Sequence, residues 1–154
     1  MSDFQIQKLT WDSIFFGYKI GKIKIKSTLN IKQLLEAIEK SSYDMVQVFS
    51  NQSFGDTFKY KPIDVKLTYS KKVATATTNN PFIKFVNKDV DGTLVKLAKD
   101  AGIYSRYKTD KNLQVKFEEM YEIWMNKSLK RELAAEVLAY KYKNKINGMV
   151  TINK

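Results

Sequence analysis

The chain has no histidine and no cysteine among its 154 residues, and only two prolines and six glycines. Each shortage removes a class of chemistry. Without His, no Ser-His-Asp or Cys-His nucleophile system can be assembled from this sequence alone. Without Cys or His, zinc fingers, structural zinc sites and iron–sulfur clusters are excluded. Disulfides are excluded as well, so cysteine usage gives no information about compartment. The six glycines, at 17, 21, 55, 92, 102 and 148, are all isolated, so no glycine-rich phosphate loop is present. Any catalysis has to rest on carboxylates, Lys, Tyr, Ser or backbone groups.

Arginine is also scarce. Of 27 basic residues, 25 are Lys and only Arg106 and Arg131 are Arg. The net charge of +11 first suggests a polyanion partner. Its distribution weighs against one. Residues 1–80 carry 12 Lys and 7 acids, a balance of +5, and residues 81–154 carry 13 Lys, 2 Arg and 9 acids, a balance of +6. There is no basic tail or block, and base readout and bidentate phosphate contacts favour Arg over Lys. A solvated, Lys-rich surface is the simpler reading, and a nucleic-acid partner is not expected.

What is present is the composition of a folded domain. Apolar residues make up 44% of the chain and aromatics 13%, which is enough large side chains to bury a core. No stretch approaches the roughly 20 apolar residues of a membrane span. The opening Met1-Ser2-Asp3-Phe4 lacks a basic region followed by an apolar core. A cytoplasmic protein without a membrane partner is expected.

Periodicity divides the chain. Phe4–Leu9 and Tyr18–Lys26 alternate apolar and polar residues and read as strands, the second with a possible bulge at Gly21. Between them, Trp11, Phe15 and Phe16 form an aromatic cluster closed by Gly17. That cluster could be a binding platform, but core packing beneath the first strands is favoured. Asn30 can cap a helix with the stripe Ile31, Leu34, Leu35 and Ile38. Asp44–Phe49 and Ile63–Tyr69 read as two further strands, with a polar, irregular stretch from Ser50 to Pro62 between them. Val73–Asn80 has no large apolar side chain beyond Val73 and reads as a linker. The expected organisation is an N-terminal α/β region over 1–72, a linker over 73–80, and a second region over 81–154.

After Pro81, the residues Phe82–Val86 suggest a short strand. Asp89 or Asp91 can cap a helix with the stripe Val90, Leu94, Leu97 and Ala101, and Gly102 can stop it. Ile103–Asn112 reads as a loop. Leu113, Phe117, Met120, Tyr121, Trp124 and Leu129 recur at helical spacing, with Glu118, Glu119 and Glu122 on the solvated side. Ala135–Tyr142 and Ile146–Ile152, joined at Lys143-Asn144-Lys145, predict a hairpin. The order strand, helix, helix, strand, strand is α/β or α+β logic.

The most suggestive local feature is Tyr104-Ser105-Arg106-Tyr107. A rare Arg lies among aromatics between two helices. Its guanidinium could grip a phosphate or carboxylate while a ring stacks on a base or sugar. The plainer alternative is an Arg paired with Asp110 that holds the loop in place.

Leu9-Thr10-Trp11-Asp12-Ser13-Ile14-Phe15-Phe16-Gly17 resembles the opening L-T-W-(D/E)-x-x-F-F-G of TDP-fucosamine acetyltransferases, which are Gcn-related N-acetyltransferases (GNAT). Leu97-Ala98 through Tyr104-Ser105-Arg106-Tyr107 is similar to that family's L-A-…-S-R-(F/Y) segment. Phe117, Tyr121, Trp124 and Asn126-Lys127-Ser128 resemble its second helix, and Glu136–Ile152 its second and third core strands. The resemblance implies a mixed-sheet GNAT-like α/β (α+β) fold, truncated after the third core strand and preceded by a small N-terminal α/β region. It implies transfer of an acetyl group from acetyl-CoA to the amine of a nucleotide-activated amino sugar, in bacterial surface polysaccharide or lipopolysaccharide biosynthesis. Tyr104, Ser105, Arg106, Tyr107 and Asp110 would border the acceptor pocket.

The family's (Q/R)-x-x-G-x-(G/A) loop, which holds the pyrophosphate of coenzyme A at a helix start, has no counterpart before Lys154. Its catalytic Tyr lies beyond that point too, so no residue here is assigned to catalysis or to the cofactor. An N-terminal portion of such an enzyme is expected, with little activity by itself. Its third strand would present an unpaired edge, pairing through 146–152 in a homodimer or covered by the chain's own termini. A small basic module that holds nucleotide or nucleic acid without catalysis is the alternative.

Overall fold

The aromatic opening and the two stretches around it build a small sheet. In a computed structural model, described over residues 5–25, 30–52, 60–72 and 80–153, the chain divides into two units, Met1–Lys61 and Pro62–Lys154. Residues 62–72 thus group with the second unit. The segment read as a linker lies, except for Asn80, outside the described residues.

The first unit runs β1 (Gln7–Lys8), α1 (Thr10–Phe16), β2 (Ile20–Ile25), α2 (Ile31–Glu39) and β3 (Met45–Ser50). Strand order is β1-β2-β3, with β1 antiparallel and β3 parallel to β2. A parallel neighbour requires a long crossover, and α2 lies in that connection. Asn30 caps α2 as expected, its side chain accepting from the Gln33 N–H at 3.2 Å. Leu34 is fully buried on the apolar stripe. The Asp44 carboxylate accepts from the Lys19 N–H at 2.7 Å, which ties the starts of β2 and β3 together.

Two expectations in this unit change. Trp11–Phe16 is a helix, not an irregular cluster. Ser13 Oγ donates to the Leu9 carbonyl (2.7 Å) and accepts from the Ile20 N–H (3.0 Å), fastening α1 to β2. Gly17, at φ 78°, supplies the left-handed residue that ends the helix. Phe16 is buried, whereas Trp11 stacks on Phe15 (4.8 Å) with a third of its surface exposed. At Gly21 there is no bulge against β3, since the register is continuous from Ile20↔Met45 to Ile25↔Ser50. Glycine is needed there because a Cβ would overlap Ile6 and press on Tyr43.

The second unit runs β4 (Ile83–Phe85), α3 (Thr93–Ala101), α4 (Arg106–Thr109), a 3₁₀ turn (Gln114–Lys116), α5 (Phe117–Leu129), β5 (Ala134–Tyr142) and β6 (Lys145–Asn153). Its sheet is antiparallel, in the order β4-β5-β6. Leu94 and Ala98 of α3, Met125 and Leu129 of α5, and Val137 and Ala139 of β5 form one buried cluster. The hairpin forms as expected. Lys143 and Asn144 have φ 48° and 62°, the pair of positive values that a two-residue turn of the right twist requires.

The start of α3 is fixed by carboxylates. Asp89 accepts from the Leu94 and Val95 N–H groups (3.2 and 2.8 Å), and Asp91 accepts from Thr93 N–H (3.1 Å). Because the helix begins at Thr93, Val90 precedes it and is exposed, and the buried stripe is Leu94 and Ala98.

Ile63–Tyr69 is not a strand. Ile63, Val65, Leu67 and Tyr69 are all exposed. Alternation prepares a segment for a sheet, but a strand exists only where a neighbour's edge accepts its backbone groups. Among the described residues no strand pairs with it.

Candidate functional site

Gly102 lets the chain turn out of α3 and back along α5. A Cβ at this position would overlap the phenol ring of Tyr121, so only glycine lets the turn pass so close. Ser105 N–H then bonds the Gly102 carbonyl (2.9 Å), and Ser105 becomes the residue before α4. What sequence periodicity renders as a loop over 103–112 therefore contains a single helical turn.

The five residues expected to border a pocket are brought together on this turn, in different roles. Tyr104 projects into solvent, 82% exposed. The Ser105 carbonyl accepts from the Lys108 and Thr109 N–H groups, and its Oγ lies 3.4 Å from the Tyr121 hydroxyl, which donates. Arg106 is half-buried. Its guanidinium carbon sits 4.2 Å from the centre of the Tyr107 ring, and Nη2 donates to the Tyr107 hydroxyl at 2.6 Å. Tyr107 is itself buried and meets Trp124 edge to face at 5.4 Å. The Arg106 head group is thus braced by a ring that is braced by α5, which fixes its position more closely than an exposed loop would.

The carboxylate recorded facing this cation belongs to Asp64. Its Oδ2 lies 3.8 Å from Arg106 Nη1 and accepts from the Arg106 N–H at a long 3.5 Å. Asp110, the partner anticipated from sequence proximity, has another task. Its Oδ1 accepts from the Asn112 and Leu113 N–H groups (2.8 and 3.3 Å) and caps the turn into α5. Asp64 was invisible as a site residue: it lies 42 positions from Arg106 in an alternating segment that suggested a strand. Tyr121 carried a signal, its place on the α5 stripe, but that signal points to the core.

Beside the pair is an open cleft of about 430 Å³ lined by Pro62, Ile63, Asp64, Val65, Ala101, Tyr104 and Ser105. Its size is within the range of small-molecule sites. Its walls combine the apolar Ile63 and Val65 with the Asp64 carboxylate, the Ser105 hydroxyl and the Tyr104 ring. Of the five residues expected to border a pocket, Tyr104 and Ser105 line this cleft, and Arg106, Tyr107 and Asp110 do not. Among the described residues no group of three or more acidic side chains is placed to hold a metal ion. No helix among them is long and apolar enough to cross a membrane. No protein-family model matches the chain, and no curated protein matches it either.

Proposed function

We propose that the chain is the acceptor-binding portion of a GNAT-type N-acetyltransferase that acts on a nucleotide-activated amino sugar in surface polysaccharide biosynthesis, with acetyl-CoA as the donor. The observation that carries the reading is Arg106, braced on Tyr107 and directed at Asp64 beside an open cleft. With Nη2 held by the Tyr107 hydroxyl, Nη1 is the group that would meet one phosphate oxygen in place of Asp64, and the exposed Tyr104 ring can stack on a base or sugar. The second unit's order of strand, two main helices and hairpin is compatible with the opening of a GNAT fold. Acetyl-CoA would supply the acetyl group as a thioester, the acceptor amine displacing coenzyme A to form the amide, with the amine's proton ending on the departing thiol. The residues of this chain would bind and orient the acceptor; none is assigned to coenzyme A or to the proton.

Calorimetric titration with a TDP-linked amino sugar tests the proposal. Saturable binding is expected, and Arg106→Lys should weaken it about tenfold, since one charge-assisted bond is worth ~1.5 kcal/mol. No saturable binding at millimolar sugar nucleotide, or binding indifferent to Arg106→Lys, refutes it. The +11 charge is the observation that favours the nucleic-acid reading. Binding of single-stranded DNA that falls steeply with salt would support that reading instead.

A further inference from the structure

The sheet of the second unit has two faces, and only one of them is spent on the core. Val137, Ala139 and Met149 point towards α3 and α5. Side chains alternate along a strand, so the intervening residues point the other way. The register aligns them in rows across all three strands. Phe85, Leu138 and Val150 are direct cross-strand neighbours, followed by Ile83, Tyr140 and Gly148. Ile152 stands opposite Glu136 in a third row. Phe82 adds its ring beside Tyr140 and Tyr142, with centroids 6.0 Å from each.

This face is apolar and exposed. Phe85 is 70% and Val150 61% exposed, and Ile83, Tyr140 and Ile152 are each about two-fifths exposed. Glu136 is the only charged residue in the three rows, and its carboxylate is held by Arg131 at 2.9 and 3.0 Å. A face of this kind on a chain with 28% charged residues calls for a cover.

We propose that the cover is a second copy of this chain, with the two sheets stacked face to face about a two-fold axis. Area and charge argue for this occupant. The exposed apolar side chains of the face, Phe82 and Tyr142 included, offer roughly 600 Å² per copy, and the resulting total of roughly 1,200 Å² reaches the lower bound of specific interfaces. Two copies that each carry +11 repel wherever their lysines meet, so contact is favoured through the three central rows, whose one charge, Glu136, is paired with Arg131, rather than at the Tyr142 end, where Lys143 and Lys145 stand. Aromatic residues at its centre match the composition of interface cores. A two-fold arrangement also requires no complementary second surface, because the patch meets itself.

Sedimentation equilibrium on the 154-residue chain tests the proposal. A monomer–dimer equilibrium in the micromolar range is expected, and it should tighten as salt rises from about 0.05 to 0.5 M, because salt screens repulsion between the like-charged copies. Phe85→Lys on β4 and Val150→Lys on β6 should each raise the dissociation constant at least about tenfold; the cost of burying an unpaired charge sets that floor. Both sites are already exposed, so the circular dichroism of the monomer should not change. A chain that stays monomeric to about 1 mM overturns the proposal, as does a dimer that weakens with salt. A dimer unaffected by Phe85→Lys also overturns it, because that pair would be joined elsewhere, for example along the β6 edge.

Discussion

Replacing Gly102 with Ala should destabilise the second unit by about 1–3 kcal/mol, the usual cost of an added methyl in a packed interior. The cost is steric alone. Gly102 has φ −90° and ψ −3°, a conformation open to any L-residue. The added Cβ, however, would overlap the far end of the Tyr121 ring, which packs beside Phe117 (4.7 Å) and Trp124 (5.6 Å) and would have to shift away from them to admit it. Urea unfolding followed by Trp124 fluorescence measures the loss; Trp11→Phe removes the other tryptophan, which lies in the first unit. Tyr121→Leu removes the ring atoms that clash. In that background Gly102→Ala should cost nothing, or even stabilise by about 0.4–1 kcal/mol through the lost freedom of the unfolded chain. The coupling between the two sites should therefore be at least about 1 kcal/mol. An equal cost of Gly102→Ala in both backgrounds would refute the close-approach argument.

Other predictions follow from the same contacts. Leu94→Ala, at a fully buried site in the α3–α5–β5 cluster, should cost about 2–5 kcal/mol in urea unfolding. The double change Lys143→Asn, Asn144→Gly keeps both positive φ angles with residues better suited to them and should stabilise by a few tenths to about 1 kcal/mol, read from the unfolding midpoint. The Asp91 carboxyl accepts bonds from the Thr93 side chain and backbone, which hold its pKa below the ordinary value of 3.8. A group lowered on folding stabilises above its unfolded pKa, and that contribution disappears as pH falls through the lower folded value. Carbon-detected NMR titration should accordingly place Asp91 below 3.8, and Thr93→Val should move it upward.

The sequence by itself determined the elements whose signals are local. Asn30 marks the start of α2, Asp89 and Asp91 the start of α3, and Lys143-Asn144 the turn of the hairpin, because caps and tight turns are settled by residues within a few positions. The stripe Leu113, Phe117, Met120 and Leu129 foretold which side of α5 is buried. Tertiary structure decided what depends on distant partners. Ile63–Tyr69 has the alternation of a strand yet joins no sheet among the described residues, since pairing requires an edge that sequence pattern does not supply. Arg106 faces Asp64 rather than the nearby Asp110, because Asp110 is taken up by the N–H groups of Asn112 and Leu113 while the fold returns residue 64 to the cleft. Gly21 and Gly102 look alike in the sequence, and only the packing of Ile6, Tyr43 and Tyr121 shows what a side chain at either position would collide with. Hydrogen bonds within a turn are short-range and residue-specific, whereas ion pairing and close packing are set by where the whole chain brings its parts together.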